Sequence, residues 1–269
     1  IYKKIFKNSI IIISTWKSEN IEKLNTLKDE NVHILFNDEP EKSQSNIDHQ
    51  IFSTNIALKF AINHNAKYSI KTRADVRINK SNLETFFISL IKTFPVKSNS
   101  LIKSRIIVPS LITFKFRIFS LSDIVMFGET NDLLQYFDIE LFRDGLKKFD
   151  LDEKKLLKNE TPVVAEIFLC ARFINKLDNS ISWNLESWWD SLKNYFCIID
   201  NSSLDVFWHK YDWNYEYRYI RTYSDKFARA VDFQDWLSLY NNSKNNWRKS
   251  SDEHEKYDEF LKLKNICKN

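Results

Sequence analysis

SIIIISTWKSENIEKLNTLKDENVHILF, residues 9–36, sets an apolar run, a polar stretch and a second apolar run in succession. The first run stops at Ser14 and Thr15 and is far shorter than the ~20 residues a membrane-crossing helix needs. It therefore reads as a buried central strand over residues 9–15 and not as a signal peptide. Residues 20–29 read as a polar helix and residues 32–36 as a second strand. A strand, a helix and a strand in that order favour an α/β fold with a mostly parallel central sheet flanked by helices.

The same alternation continues outward. A charged loop with Pro40 spans residues 39–45, and a helix follows over 46–64. In that helix Ile47, Ile51, Leu58 and Ile62 recur at helical spacing, while Asn46, Gln50 and Ser53 share another face. Residues 68–78 read as one strand, in which Lys71, Arg73, Asp75 and Arg77 alternate with Thr72, Ala74, Val76 and Ile78, so the charges line one face. Further helices are expected at 81–93, 131–148 and 161–177, the last opened by Thr161 as N-cap and Pro162 at its first position. Strands are expected at 104–108 and 123–127. From Trp183 the chain turns aromatic, with Trp188, Trp189, Tyr195, Phe207, Trp208, Tyr211, Trp213, Tyr215, Tyr217 and Tyr219. We divide it into a core over 1–180 and an aromatic-rich C-terminal subdomain or lid over 181–269 that packs on the same core and ends in a polar helix.

Composition removes several classes of function. With 269 residues the chain is long enough for a large α/β core, and its net charge of +4 is too mild and too dispersed to suggest nucleic acid as a partner. Its three cysteines, Cys170, Cys197 and Cys267, have no paired spacing, which argues against a disulfide framework or a cysteine zinc site and for a reducing compartment. Only two glycines occur, and neither GxxxxGK[ST] nor GxGxxG is present, so a nucleotide would have to be held by side chains, helix ends or a metal.

Four segments carry candidate chemistry: Ser14-Thr15-Trp16, NIDHQIFST at residues 46–54, KTRADVR at 71–77 and SDIVMFG at 122–128. As a set, from about residue 10 to 172, they resemble the WavE family of lipopolysaccharide synthesis proteins. The resemblance lies in a strand ending in Ser-Thr-Trp, an N-x-x-x-Q-x-x-S-T helix and a K-x-R-x-D strand. It implies a GT-A-like domain that moves a sugar from a nucleotide-sugar donor to a glycan or lipid-linked glycan, in lipopolysaccharide or capsule synthesis. It also implies a cytoplasmic protein, at the inner face of the cytoplasmic membrane, in peripheral association with it. Many GT-A enzymes carry a D-x-D that binds Mg²⁺ or Mn²⁺ against the donor diphosphate. The matching triplet here is Arg73-Ala74-Asp75, so a base replaces the first acid.

Either a divalent metal or a fixed guanidinium can stabilise a departing diphosphate. Arg73 is the candidate for phosphate oxygens, and Asp75 for a remaining metal contact, for holding Arg73 or for a sugar hydroxyl. Ser14, Thr15 and Trp16 lie at the carboxyl end of the first strand, where open α/β sheets place ligands, and are assigned with Gln50 and Ser53 to the nucleotide. Asp123 is assigned to sugar hydroxyls. Glu166, amid the apolar residues of its helix, is the candidate general base, since burial raises a carboxyl pKa. His209 is a late candidate for a metal or phosphate.

Each residue also has a structural reading: a solvated strand face for Lys71 to Arg77, a core Trp16, a polar helix stripe for Gln50 and Ser53, a turn-capping Asp123, an ion-paired Glu166, and rings that fill the core. The rival function is a non-catalytic carbohydrate-binding or assembly component of an envelope-glycan complex.

Overall fold

The computed structural model describes residues 1–142, 165–178, 182–208 and 230–242. Thr161, Pro162, His209, the aromatics from Tyr211 to Tyr219, Cys267 and the expected terminal helix beyond 242 lie outside the described residues.

In chain order come α1 (Tyr2–Ile5), β1 (Ile11–Trp16), α2 (Ile21–Asn25) and β2 (Val32–Asn37). Next are α3 (Ile47–Asn63), β3 (Tyr68–Lys71), β4 (Val76–Ile78), α4 (Leu83–Thr93), β5 (Ile106–Pro109), β6 (Met126–Glu129) and α5 (Thr130–Phe137). The later elements are α6 (Ala165–Leu177), α7 (Leu185–Tyr195), β7 (Phe196–Ile199), β8 (Val206–Trp208) and α8 (Phe233–Asn241). Among the described residues no helix is long and apolar enough to cross a membrane.

The opening strand, helix and strand form as expected. β1 and β2 are parallel, with Ile11 opposite Val32 and Trp16 opposite Asn37. Between them α2 begins where the Asn20 side chain accepts the Lys23 N–H at 2.9 Å. However, β1 is not a central strand. It and β2 form a sheet of their own, and every residue of β1 is only half-buried.

The larger sheet corrects the parallel expectation. Its order is β3-β6-β5-β7, with β3–β6 and β5–β6 antiparallel and β5–β7 parallel. A parallel return needs a crossover of a dozen or more residues, usually a helix. Between β5 and β6 the chain forms no helix; it doubles back through an almost wholly buried loop. Two non-glycine residues there, Ile112 at φ 71° and Phe119 at φ 56°, take the left-handed conformation that reverses it. The indole N–H groups of Trp188 and Trp189 donate to the loop carbonyls of Phe114 and Lys115 at 2.9 and 2.8 Å.

A second correction concerns residues 68–78, which are not one strand. The chain leaves β3 after Lys71, turns with the Val76 N–H on the Arg73 carbonyl at 3.1 Å, and resumes as β4, antiparallel to β8 in a third sheet.

α3 joins the layers, packing on β1, β3 and α5. Its expected stripe is buried at Ile47, Ile51 and Leu58, while Ile62 is half-buried. α5 is shorter than the helix expected at 131–148, closing at Phe137. On the C-terminal side β7 is buried along its whole length, and α7 and α8 cover it with Trp188, Trp189 and Trp236 in the core. Burial of such rings is the largest apolar contribution a side chain makes.

Candidate active site

The break after β3 creates the first half of the site. Because the chain turns at residues 74–75, Arg73 and Asp75 do not project in parallel from a strand face but fold onto each other. Arg73 Nε donates to Asp75 Oδ1 at 3.0 Å and Nη2 to Oδ2 at 3.4 Å. From β8, the indole N–H of Trp208 donates to Asp75 Oδ2 at 2.9 Å, and the Arg73 guanidinium lies 5.6 Å from the centre of the Trp208 ring. Burial works against Arg73's charge, yet the Asp75 hydrogen bond and the charges of Asp75, Asp123 and Glu166 outweigh it and raise its pKa. Burial likewise opposes the Asp75 carboxylate, and the bonds from Arg73 and Trp208 overcome it, holding its pKa below the usual range.

The second half gathers on Asp123, a buried residue at the exit of the β5–β6 loop. Gln50 of α3 donates its amide to Asp123 Oδ2, and the Lys71 ammonium donates to the Asp123 backbone carbonyl. Lys71 also lies 5.6 Å from the centre of the Phe137 ring, and burial pulls its pKa down. Next to Asp123 the Ser122 hydroxyl is buried without a hydrogen-bond partner among the described residues.

Glu166 stands in the first turn of α6, half-buried. Burial, and then the negative charge of Asp123, push its pKa up to about 7, against the opposing pull of its own backbone N–H, Arg117 and Arg73. A carboxyl at that value exchanges a proton at neutral pH. Tyr136, fully buried within the field of Asp123 and Glu166, has a hydroxyl with no partner among the described residues and a pKa raised well above its ordinary value by burial.

The residues at the end of β1 form a separate group. Asn37 donates to Ser14 Oγ and to the Thr15 carbonyl, both at 2.9 Å. Trp16 packs edge-on to His49 at 5.2 Å between ring centres and lies against Phe52. Ser53 gives its proton to the His49 carbonyl within α3 at 2.7 Å. His49 Nε2 lies 3.2 Å from Glu39 Oε1, and its Nδ1 is buried without a partner among the described residues.

Thus Gln50, Arg73, Asp75, Asp123 and Glu166 are linked by bonds or charge, whereas Ser14, Thr15, Trp16 and Ser53 belong to the neighbouring group reached along α3. Sequence reasoning missed Lys71, Trp208, Asn37 and His49 as members. Lys71 carried a signal, a lysine flush against apolar strand residues; Trp208 carried none, since its partner lies 133 positions away.

The expected metal contact at Asp75 is best judged by its surroundings. Both of its oxygens are engaged by Arg73 and Trp208, and among the described residues no group of three or more His, Cys, Asp or Glu could hold a metal ion. As arranged, these residues fit a guanidinium-paired carboxylate and not a divalent cation site.

The fold and these side chains define a mixed α/β protein that brings a fixed guanidinium, a buried carboxylate and an acid with a pKa about 7 into one electrostatic neighbourhood. The family model for WavE lipopolysaccharide synthesis matches residues 2–268, so the chain belongs to that family and with it to lipopolysaccharide synthesis. No curated protein and no solved structure matches the chain.

Proposed function

We propose that the chain is a glycosyltransferase that moves a sugar from a nucleotide-sugar donor to a glycan or lipid-linked glycan acceptor. Family membership supports the glycan side of this reading. The observation that carries the catalytic side is Glu166, a carboxyl raised to about 7 within the field of both Asp123 and Arg73.

In an inverting displacement, ionised Glu166 takes the proton of the acceptor hydroxyl as its oxygen attacks the anomeric carbon. The bond from that carbon to the donor diphosphate breaks, and the diphosphate leaves with the electron pair. Arg73 meets the charge that develops there. Asp123, held by Gln50 and Lys71, accepts hydrogen bonds from sugar hydroxyls and so orients the reacting ring. Trp16, Ser14, Thr15 and Ser53 serve the nucleotide.

The test is to challenge purified protein with a panel of nucleotide sugars and measure donor hydrolysis or transfer, together with the rise in melting temperature that a bound ligand causes. Stabilisation by a sugar or nucleotide sugar with neither hydrolysis nor transfer would leave the non-catalytic carbohydrate-binding reading in its place.

A further inference from the structure

Three side chains, Arg73, Asp75 and Trp208, form a closed triangle in which each touches the other two. The carboxylate receives Nε and Nη2 of the guanidinium at 3.0 and 3.4 Å, the indole N–H donates to the same carboxylate at 2.9 Å, and the guanidinium lies 5.6 Å from the centre of the indole ring. Strand pairing brings the third member in: Trp208 is opposite Val76 in the β4–β8 register, the residue directly after Asp75. Trp208 is buried, 7 % exposed, so its ring is a fixed platform.

Of the guanidinium nitrogens, Nη1 has no bond to the protein among the described residues. Arginine is planar and its N–H groups diverge at set angles, so fixing one edge on a carboxylate and one face on a ring fixes the direction of the remaining N–H groups. An arginine free to rotate would lose that freedom when an anion binds; this one has lost most of it already.

We infer that Trp208 is a positioning residue that, through Asp75, aims Arg73 Nη1 at a diphosphate bound without a divalent cation. This rests on the reading of Arg73 as the diphosphate residue, and it names what makes that arginine competent. The neighbouring pair on the same two strands is the contrast: Arg77 lies 6.0 Å from the Phe207 ring and is exposed, and no carboxylate bond fixes its edge among the described residues.

The experiment is calorimetric titration of the full chain with inorganic pyrophosphate in EDTA, with a thermal melt of each variant. Trp208→Phe keeps a ring and loses the N–H donor, and it should weaken pyrophosphate about tenfold, the effect of one charge-assisted hydrogen bond. Phe207→Leu, next to Trp208 on β8, should leave affinity unchanged. In an Arg73→Lys background, which lacks the planar fork, Trp208→Phe should have no further effect. An equal loss in both backgrounds would show that Trp208 merely supports the fold, and would overturn the inference, as would unchanged affinity in Trp208→Phe. Should that variant fail to melt cooperatively, Asp75→Asn decides: a loss of tenfold or more supports the triangle, and unchanged affinity overturns it. Binding that appears only when Mg²⁺ replaces EDTA also overturns it. Absence of pyrophosphate binding by the unaltered chain removes the diphosphate reading itself, a result distinct from a normal response of Trp208→Phe.

Discussion

Gln50, in the first half of α3, donates its side-chain amide to the carboxylate of Asp123, 73 residues further along the chain. An ionised carboxylate only accepts hydrogen bonds, so the amide must face it with its NH₂ end. This bond ties the helix that packs on β1 to the loop that enters β6.

Removing it is expected to hurt stability before it touches chemistry. Gln50→Ala leaves the buried Asp123 carboxylate short of a donor, at a cost of roughly 1–3 kcal/mol. Gln50→Glu should be worse, because a second negative charge replaces the donor. Urea unfolding of the two variants against the unaltered chain measures both, and equal midpoints for all three would contradict the bond's importance.

The base assignment predicts a pH profile. Transfer should rise through about pH 7 as Glu166 loses its proton. Glu166→Gln keeps the side chain's size but cannot accept a proton, so it should lower transfer by roughly 10²–10⁴ and abolish that rise. Asp123→Asn should have a smaller effect on rate. Normal transfer by the Glu166 variant with a dead Asp123 variant would exchange the two roles.

The same residue makes a prediction about folding. Its pKa rises from 4.5 to about 7 on folding, so the folded protein holds the proton over a range where the unfolded chain has released it. Stability from Glu166 is therefore fully present below about 4.5 and is lost as pH climbs through about 7. Glu166→Gln lacks this loss, so its stability should gain on the unaltered chain across that window and run parallel to it above. Denaturant midpoints at several pH values give the comparison, and a constant offset would show that Glu166 is not perturbed.

Arg73 should matter far more than a surface cation. Arg73→Ala is expected to lower activity or diphosphate affinity well below that of Lys92→Ala, whose lysine is exposed on α4. Part of the activity should survive EDTA. Complete loss in EDTA, restored by Mn²⁺, would mean that Asp75 releases Arg73 and binds a metal.

The parts of this molecule written in local pattern were legible, and the parts set by distant neighbours were not. The isoleucine run and VHILF gave β1 and β2, and the spacing of Ile47, Ile51 and Leu58 gave α3, because periodicity reports burial directly. Alternation misled at residues 68–78, where charged and small residues keep their rhythm through a turn that only the Arg73–Asp75 pair and the partner strand β8 reveal. The antiparallel return at the β5–β6 loop was hidden for another reason. Its left-handed positions are Ile112 and Phe119, a β-branched and an aromatic residue, in place of the glycine or asparagine that signals such a turn. Arg73 and Asp75 became candidates through the K-x-R-x-D motif, and Glu166 because a charge amid apolar residues is visible in a string of letters. The indole that completes the triangle was not, since a buried tryptophan looks like any other core residue.

The pairing of β4 with β8 also has a consequence for how the protein comes into being. A ribosome delivers Arg73 and Asp75 long before Trp208, and β3 long before the β7 strand that borders its sheet. Chains made from the N-terminus fold as their segments become available. Until Trp208 has emerged, the guanidinium lacks its platform and the carboxylate lacks its third hydrogen bond. A nascent or prematurely ended chain therefore carries the charged residues but not the aimed arginine, and synthesis must run past β8 before the triangle can close.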